Sequence, residues 1–165
     1  MTDRLFVFGL GYTARHLCAE LRPAGSADAS WSIAGTARTA DGCAALAADG
    51  IEPHPFDAAA PMAGAVDALG GVTHLLVSVP PSQMDPPSQT DPGIEIDPVL
   101  RHHAADIAAC PRLRWIGYLS TTGVYGDRGG GWVDETSALA PSGPRGARRV
   151  AAEAGWFAFG ARTGI

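Results

Sequence analysis

The run Phe6-Val7-Phe8-Gly9-Leu10-Gly11-Tyr12-Thr13-Ala14-Arg15 decides how this chain folds. Leu5 to Phe8 is apolar without alternation, the pattern of a strand covered on both faces of a parallel sheet. Two glycines break the run. Leu10, Ala14, Leu17, Cys18 and Leu21 then recur at helical spacing until Pro23 stops the helix. A strand, a glycine turn and a helix start in that order make an anion site, because unpaired backbone N–H groups and the helix dipole both face a negative ligand. In the G-x-G-x-x-A spacing, Gly9 permits the tight turn and Gly11 lets the backbone approach a pyrophosphate. Ala14 takes the small-residue position that packs helix against strand. Leu10, Tyr12 and Arg15 complete the candidate dinucleotide-binding turn. Glycine turns also join strands to helices for structural reasons alone, and the strand before and helix after are what favour the ligand reading.

Outward from this turn, Trp31 to Thr36 reads as a second strand that ends in Ala37-Arg38-Thr39. In a dinucleotide site the end of this strand meets the adenosine ribose, where a carboxylate accepts the 2′-OH of NAD and an arginine accommodates the 2′-phosphate of NADP. Positions 34 to 38 hold no carboxylate and do hold Arg38, which favours NADP, with NAD as the alternative cofactor. The competing reading of Arg38 is a solvated residue opening the next helix. Asp41 to Asp49 reads as a helix closed by Gly50, and Ile51 to Phe56 as a proline-interrupted strand with Asp57 at its carboxyl end. Asp57 is either a partner for the adenine amino group or a helix N-cap. Pro61 to Leu69 reads as a short helix, and Thr73 to Val79 as a strong fourth strand whose Ser78 reaches the ligand side. Pro80 to Pro98 is a proline-rich loop leaving that side, either a lid or a segment with no role. Val99 to Ala109 is helical. His102 and His103 within it are adjacent, so they diverge and make a poor metal pair, while His74 reads as a loop or core residue. Trp115 to Leu119 is a fifth strand, running into Ser120 to Asp127. Five strands alternating with helices specify an α/β, doubly wound parallel sheet: a single NAD(P)-binding Rossmann domain over residues 1 to 165.

Composition narrows the function classes. A formal charge of −5 over 165 residues excludes non-specific nucleic-acid binding, which needs a basic face. Cys18, Cys43 and Cys110 are odd in number and far apart, which gives no disulfide framework and no metal pair, only thiols of a reducing compartment. No signal-peptide pattern opens the chain and no apolar run reaches membrane-spanning length, so the expectation is a cytoplasmic protein with no membrane partner.

The segment Leu119-Ser120-Thr121-Thr122-Gly123-Val124-Tyr125-Gly126-Asp127, followed by Trp132-Val133-Asp134-Glu135 and Pro141, resembles the extended short-chain dehydrogenase/reductases, the NAD(P)-dependent epimerase/dehydratase family. The opening GLGYTAR is similar to an atypical branch, and the resemblance runs from about residue 5 to 157. It implies that Thr121 hydrogen-bonds the reacting oxygen, with Ser120 and Thr122 in the same cleft. It also marks departures. Thr122-Gly123 stands where sugar dehydratases of the family carry Asp-Glu, which argues against dehydration. The family's Tyr and Lys, four apart, are matched here by Arg145 and Arg149. An arginine keeps its proton to a pKa above about 12 and cannot shuttle it near neutral pH, leaving Tyr125 or a residue outside this chain as proton donor.

Arg145 and Arg149 form a like-charge pair one helical turn apart. Two readings follow: a solvated helix face with an Arg149–Glu153 ion pair, or a clamp for an anionic substrate. Arg162 to Ile165 reads as the entry to a sixth strand, so either the C-terminal part of the family fold is missing or the sheet closes at five strands. The resulting expectation is an NADP-preferring oxidoreductase acting on a small or nucleotide-linked carbonyl or hydroxyl compound, in an oligomeric state the sequence does not set. The rival is a non-catalytic dinucleotide-binding sensor or interaction module, or an inactive fragment of a longer enzyme.

Overall fold

In the computed structural model, which describes residues 2–22, 31–83 and 96–165, five strands form one parallel sheet in the order β3-β2-β1-β4-β5. The strands are β1 (Asp3–Phe8), β2 (Trp31–Ala37), β3 (Glu52–Pro55), β4 (His74–Val77) and β5 (Trp115–Tyr118). The helices are α1 (Tyr12–Leu21), α2 (Ala40–Ala48), α3 (Ala65–Ala68), α4 (Pro98–Ala108) and α5 (Pro144–Thr163), with a 3-10 turn at Thr122–Val124. Pro23 and most of the proline-rich loop expected at 80 to 98 lie outside the described residues.

The unbroken apolar run of β1 serves two cores at once. Successive strand residues point to opposite faces. Leu5 and Val7 therefore pack with Leu10, Ala14, Cys18, Ile33 and Leu46 under α1 and α2. Phe6 and Phe8 pack on the other side with Leu75, Val77, Val99, Leu100, Ile107, Trp156 and Phe159 under α3, α4 and α5. Helices on both faces of a parallel sheet are the doubly wound architecture expected from the sequence.

The chain runs from β1 outward to β2 and β3, then returns to the other flank of β1 for β4 and β5. Ligand crevices in open α/β sheets form outside the carboxyl ends of the strands at such a reversal. Here those ends are Gly9 after β1 and Ser78 after β4, whose backbone N–H donates to Phe8 O at 2.8 Å. Pro53 and Pro55 sit in β3, an edge strand, where a missing ladder donor costs least.

Two expectations need correction. Arg162 and Thr163 do not enter a sixth strand. They are the last turn of α5, where Thr163 Oγ1 donates to Phe159 O at 2.9 Å and Gly164 N–H to Gly160 O at 2.8 Å. The helix begun at Pro144 simply runs on to a left-handed Gly164. The short helix expected from Pro61 starts only at Ala65. No described helix is long and apolar enough to cross a membrane.

Candidate dinucleotide site and the segment after the fifth strand

The turn after β1 is held from below by β2. Gly9 N–H donates to Thr36 Oγ1 at 2.8 Å, Leu10 N–H to Thr36 O at 3.1 Å, and Gly11 N–H closes back on Gly9 O at 2.7 Å. The turn's own amides are thus spent on the fold. The donors left for a ligand are the first-turn N–H groups of α1, at Tyr12, Thr13 and Ala14, which no side chain caps.

The two glycines do different work. Gly9 has φ +80°, and a Cβ there would lie 3.0 Å from both Cγ2 and N of Val79. Gly11 has an ordinary φ of −89°, and a Cβ there would meet nothing closer than Gly9 O at 3.9 Å. The space beside Gly11 is a cradle that a side chain would fill, which is the fit a pyrophosphate requires.

Around this turn opens a cleft of about 550 Å³ lined from the carboxyl ends of four strands. It brings together Gly9, Leu10, Gly11, Arg15, Arg38, Asp57 and Ser78 of the candidate residues. Two other candidates stand outside its lining. Ala14 is fully buried beneath α1, which is its expected helix-packing role. The Tyr12 side chain is 80% exposed and lies against His16, so only its backbone N–H faces the ligand side. Asp57 caps no helix: its Oδ1 accepts the Ala59 N–H at 2.9 Å in a local turn, and the residue lines the cleft. Next to it, Ala58 holds φ +70°, strained for a residue with a Cβ.

Thr36 is the functional residue that sequence reading passed over. It is 1% exposed and anchors both Gly9 and Leu10. Its signal was a polar side chain in the otherwise apolar end of β2. Thr39 also lines the cleft while capping α2 by accepting the Gly42 N–H at 3.1 Å.

The segment after β5 forms a second region. Thr121 Oγ1 accepts the Gly123 N–H at 3.3 Å and so caps the 3-10 turn. Its hydroxyl proton stays available for an external oxygen. Tyr125 closes the other end of the same turn. It lines a separate cavity of about 690 Å³ with Tyr118, Glu135, Leu139, Glu153 and Trp156. Thr121 lines neither this cavity nor the dinucleotide cleft.

Arg145 and Arg149 also separate. Arg145 is exposed on the first turn of α5. Arg149 turns inward, away from the expected Glu153 ion pair. It donates to Tyr118 Oη at 3.2 Å and Leu119 O at 2.5 Å, with its guanidinium 5.5 Å from the Tyr118 ring centre. The part-buried Leu119 carbonyl at the end of β5 thereby gains a charged donor. Arg149 also lowers the cost of the buried Asp97. Burial pushes that carboxyl up from its ordinary value, while the Leu100 and Val99 N–H groups, the Trp156 indole and the Arg149 charge oppose the shift. Burial likewise raises the Tyr118 phenol well above its usual range. His103, fully buried, accepts the Met62 N–H at 3.0 Å and pairs with Asp106 at 2.9 Å. Among the described residues no cluster of three His, Cys, Asp or Glu side chains could hold a metal.

No family model and no curated protein matches the sequence. Solved structures do. A functionally unknown conserved protein from Silicibacter pomeroyi DSS is 44% identical, with a TM-score of 0.74 over 96% of this chain and 49% of that one. UDP-glucuronic acid 4-epimerase from Bacillus cereus, in complex with NAD, is 15% identical with a TM-score of 0.72 over 98% and 54%. A short-chain dehydrogenase/reductase superfamily protein from Agrobacterium tumefaciens with bound NAD is 18% identical with a TM-score of 0.62 over 93% and 44%. The chain thus spans about half the length of the solved proteins it matches. The chain therefore shares the fold of these solved proteins, a parallel sheet with helices on both faces, over about half of their length.

Proposed function

We propose that this chain binds a nicotinamide dinucleotide with a preference for NADP, as part of an oxidoreductase acting on a small or nucleotide-linked carbonyl or hydroxyl compound. The observation that carries this reading is the cleft itself. It joins an uncapped α1 N-terminus and the Gly11 cradle to Arg38, and no carboxylate from the end of β2 lines it. The α1 amides would hold the pyrophosphate, Arg38 the 2′-phosphate and Asp57 the adenine amino group. NAD bound by the Bacillus and Agrobacterium proteins of the same fold supports the dinucleotide class.

A bound nicotinamide supplies hydride-transfer chemistry. The chain's own contribution would be to place and polarise the substrate. Thr121, with its oxygen already accepting a backbone N–H, would donate its hydroxyl proton to the reacting oxygen. Arg145, exposed at the start of α5, would meet an anionic substrate group. The proton would come from Tyr125 or from a residue outside this chain.

A second reading has its own support. Arg149 stands at the matched Lys position and is committed to Tyr118 and Leu119, so a non-catalytic dinucleotide-binding module also fits. Calorimetric titration of Arg38→Ala tests the shared premise. The variant is expected to weaken NADPH more than NADH by roughly 1.5 to 3 kcal/mol, the value of a charge-assisted contact. Equal losses for both cofactors would overturn the NADP preference.

A further inference from the structure

Arg15 lines the dinucleotide cleft, yet its guanidinium is engaged elsewhere, with Nη1 2.6 Å from Asp49 Oδ2. Asp49 closes the C-terminal end of α2, where the helix dipole disfavours a carboxylate and a cation nearby is needed. The carbonyls of that helix end do not depend on Arg15. Arg22, the residue that caps the end of α1, donates to Gly50 O at 2.9 Å and Asp49 O at 3.1 Å. What remains to Arg15 is one solvated ion pair, with the two side chains 41% and 53% exposed, a contact of the weakest kind. The same cleft also contains the exposed Arg38, and the single carboxylate in its lining is Asp57. A phosphate monoester carries a charge of about −1.5 to −2 near neutral pH and presents oxygens enough for two guanidinium forks.

Building on the NADP reading above, we propose that Arg15 is a second specificity-determining guanidinium for the adenosine 2′-phosphate, with Asp49 as its resident counter-ion. In the free protein Asp49 holds Arg15. A 2′-phosphate in the cleft competes for it and draws it toward Arg38. Asp49 thereby sets how strongly the chain discriminates between phosphorylated and unphosphorylated ribose. It does this without touching the ligand.

The test is calorimetric titration of the chain with 2′,5′-ADP and with 5′-AMP, adenosine fragments that differ by the 2′-phosphate. Arg15→Gln is expected to weaken 2′,5′-ADP about five- to tenfold and to leave 5′-AMP within about twofold, as for a partly solvated charge-assisted contact. Asp49→Asn, which releases Arg15, is expected to tighten 2′,5′-ADP about two- to fivefold with 5′-AMP unchanged. Both side chains are about half exposed, and matching thermal unfolding curves would show that the variants remain folded. Equal weakening of both probes by Arg15→Gln would place Arg15 on the 5′-phosphate and overturn the proposal, as would an unchanged affinity in Asp49→Asn. If discrimination survives Arg15→Gln but disappears in Arg38→Ala, only this inference fails. If the unaltered chain does not distinguish the two probes, the NADP reading fails with it.

Discussion

Substituting the two glycines of the first turn should separate folding from binding. Gly9 is at φ +80°, and a Cβ would press on Val79 Cγ2 and N at 3.0 Å and on Ser78 C at 3.2 Å. The left-handed conformation costs a residue with a Cβ about 1 to 2 kcal/mol. Overpacking against a β4-end backbone that cannot retreat adds about 1 to 3 kcal/mol. Part of this is offset because alanine has less unfolded-state entropy than glycine, by about 0.5 to 1 kcal/mol. Gly9→Ala is therefore expected to lower stability by about 1 to 4.5 kcal/mol, most of the range lying above about 2 kcal/mol. Gly11 is at φ −89°, with no atom within 3.9 Å of a built Cβ. Gly11→Val gives up a modest N-cap preference and should stay within about 1 kcal/mol of the unaltered chain. Its side chain would nevertheless occupy the pyrophosphate's approach. Loss of one or two charge-assisted N–H contacts, at about 1.5 to 3 kcal/mol each, should weaken NADPH by roughly a hundredfold or more. Urea unfolding and calorimetric titration of both variants read the two effects separately. Undiminished NADPH binding by Gly11→Val, or a stability loss in it as large as that of Gly9→Ala, would refute the reasoning.

Removing the Thr121 hydroxyl should lower turnover of the intact protein on a carbonyl panel roughly a hundredfold, the loss typical of one oxyanion donor, and full activity in Thr121→Ala would remove the catalytic role. Arg145→Ala should raise KM, more at low salt where exposed charges are least screened; an unchanged KM would leave Arg145 a solvated residue. Arg149→Ala strands the Leu119 carbonyl and the Tyr118 hydroxyl, so urea unfolding should show a loss of about 1 to 3 kcal/mol, and a neutral result would contradict the inward-turned guanidinium. Asp97 gives a pH dependence. Its folded carboxyl titrates above the ordinary 3.8, so the folded state holds the proton more firmly than the unfolded chain. The stability this adds is complete below the ordinary value and is lost as pH rises through the folded one. Asp97→Asn retains an acceptor for the α4 amides and has no proton to lose, so stability measured against pH should fall less steeply above pH 4 than in the unaltered chain. Parallel profiles would contradict the shift.

The sheet was readable because its strands are buried on both faces and its turns carry their own chemistry. Leu5 to Phe8 admits no half-exposed reading, and Gly9 and Gly11 mark both the turn and the cleft beside it. What escaped was whatever depends on contacts between distant elements. Thr36 matters because its hydroxyl meets Gly9, 27 residues away, and no local pattern announces that pairing. Arg149 was read against its helical neighbour Glu153, whereas the structure gives it the end of β5, 30 residues back. The end of α5 was read one turn too early, because the Thr163 and Gly164 hydrogen bonds hold Arg162 and Thr163 in a last helical turn that Gly164 closes. Tyr125 is only four residues from Thr121, but the two stand at opposite ends of a 3-10 turn, and Tyr125 lines a cavity whose lining does not include Thr121.

A crystal structure of the chain soaked with NADP tests the central claim most directly. The account expects the pyrophosphate on the first-turn amides of α1 beside Gly11, and the 2′-phosphate within about 3 Å of the Arg38 guanidinium. A dinucleotide bound away from the Gly9–Gly11 turn, or a 2′-phosphate left in solvent with Arg38 turned from it, would contradict the account.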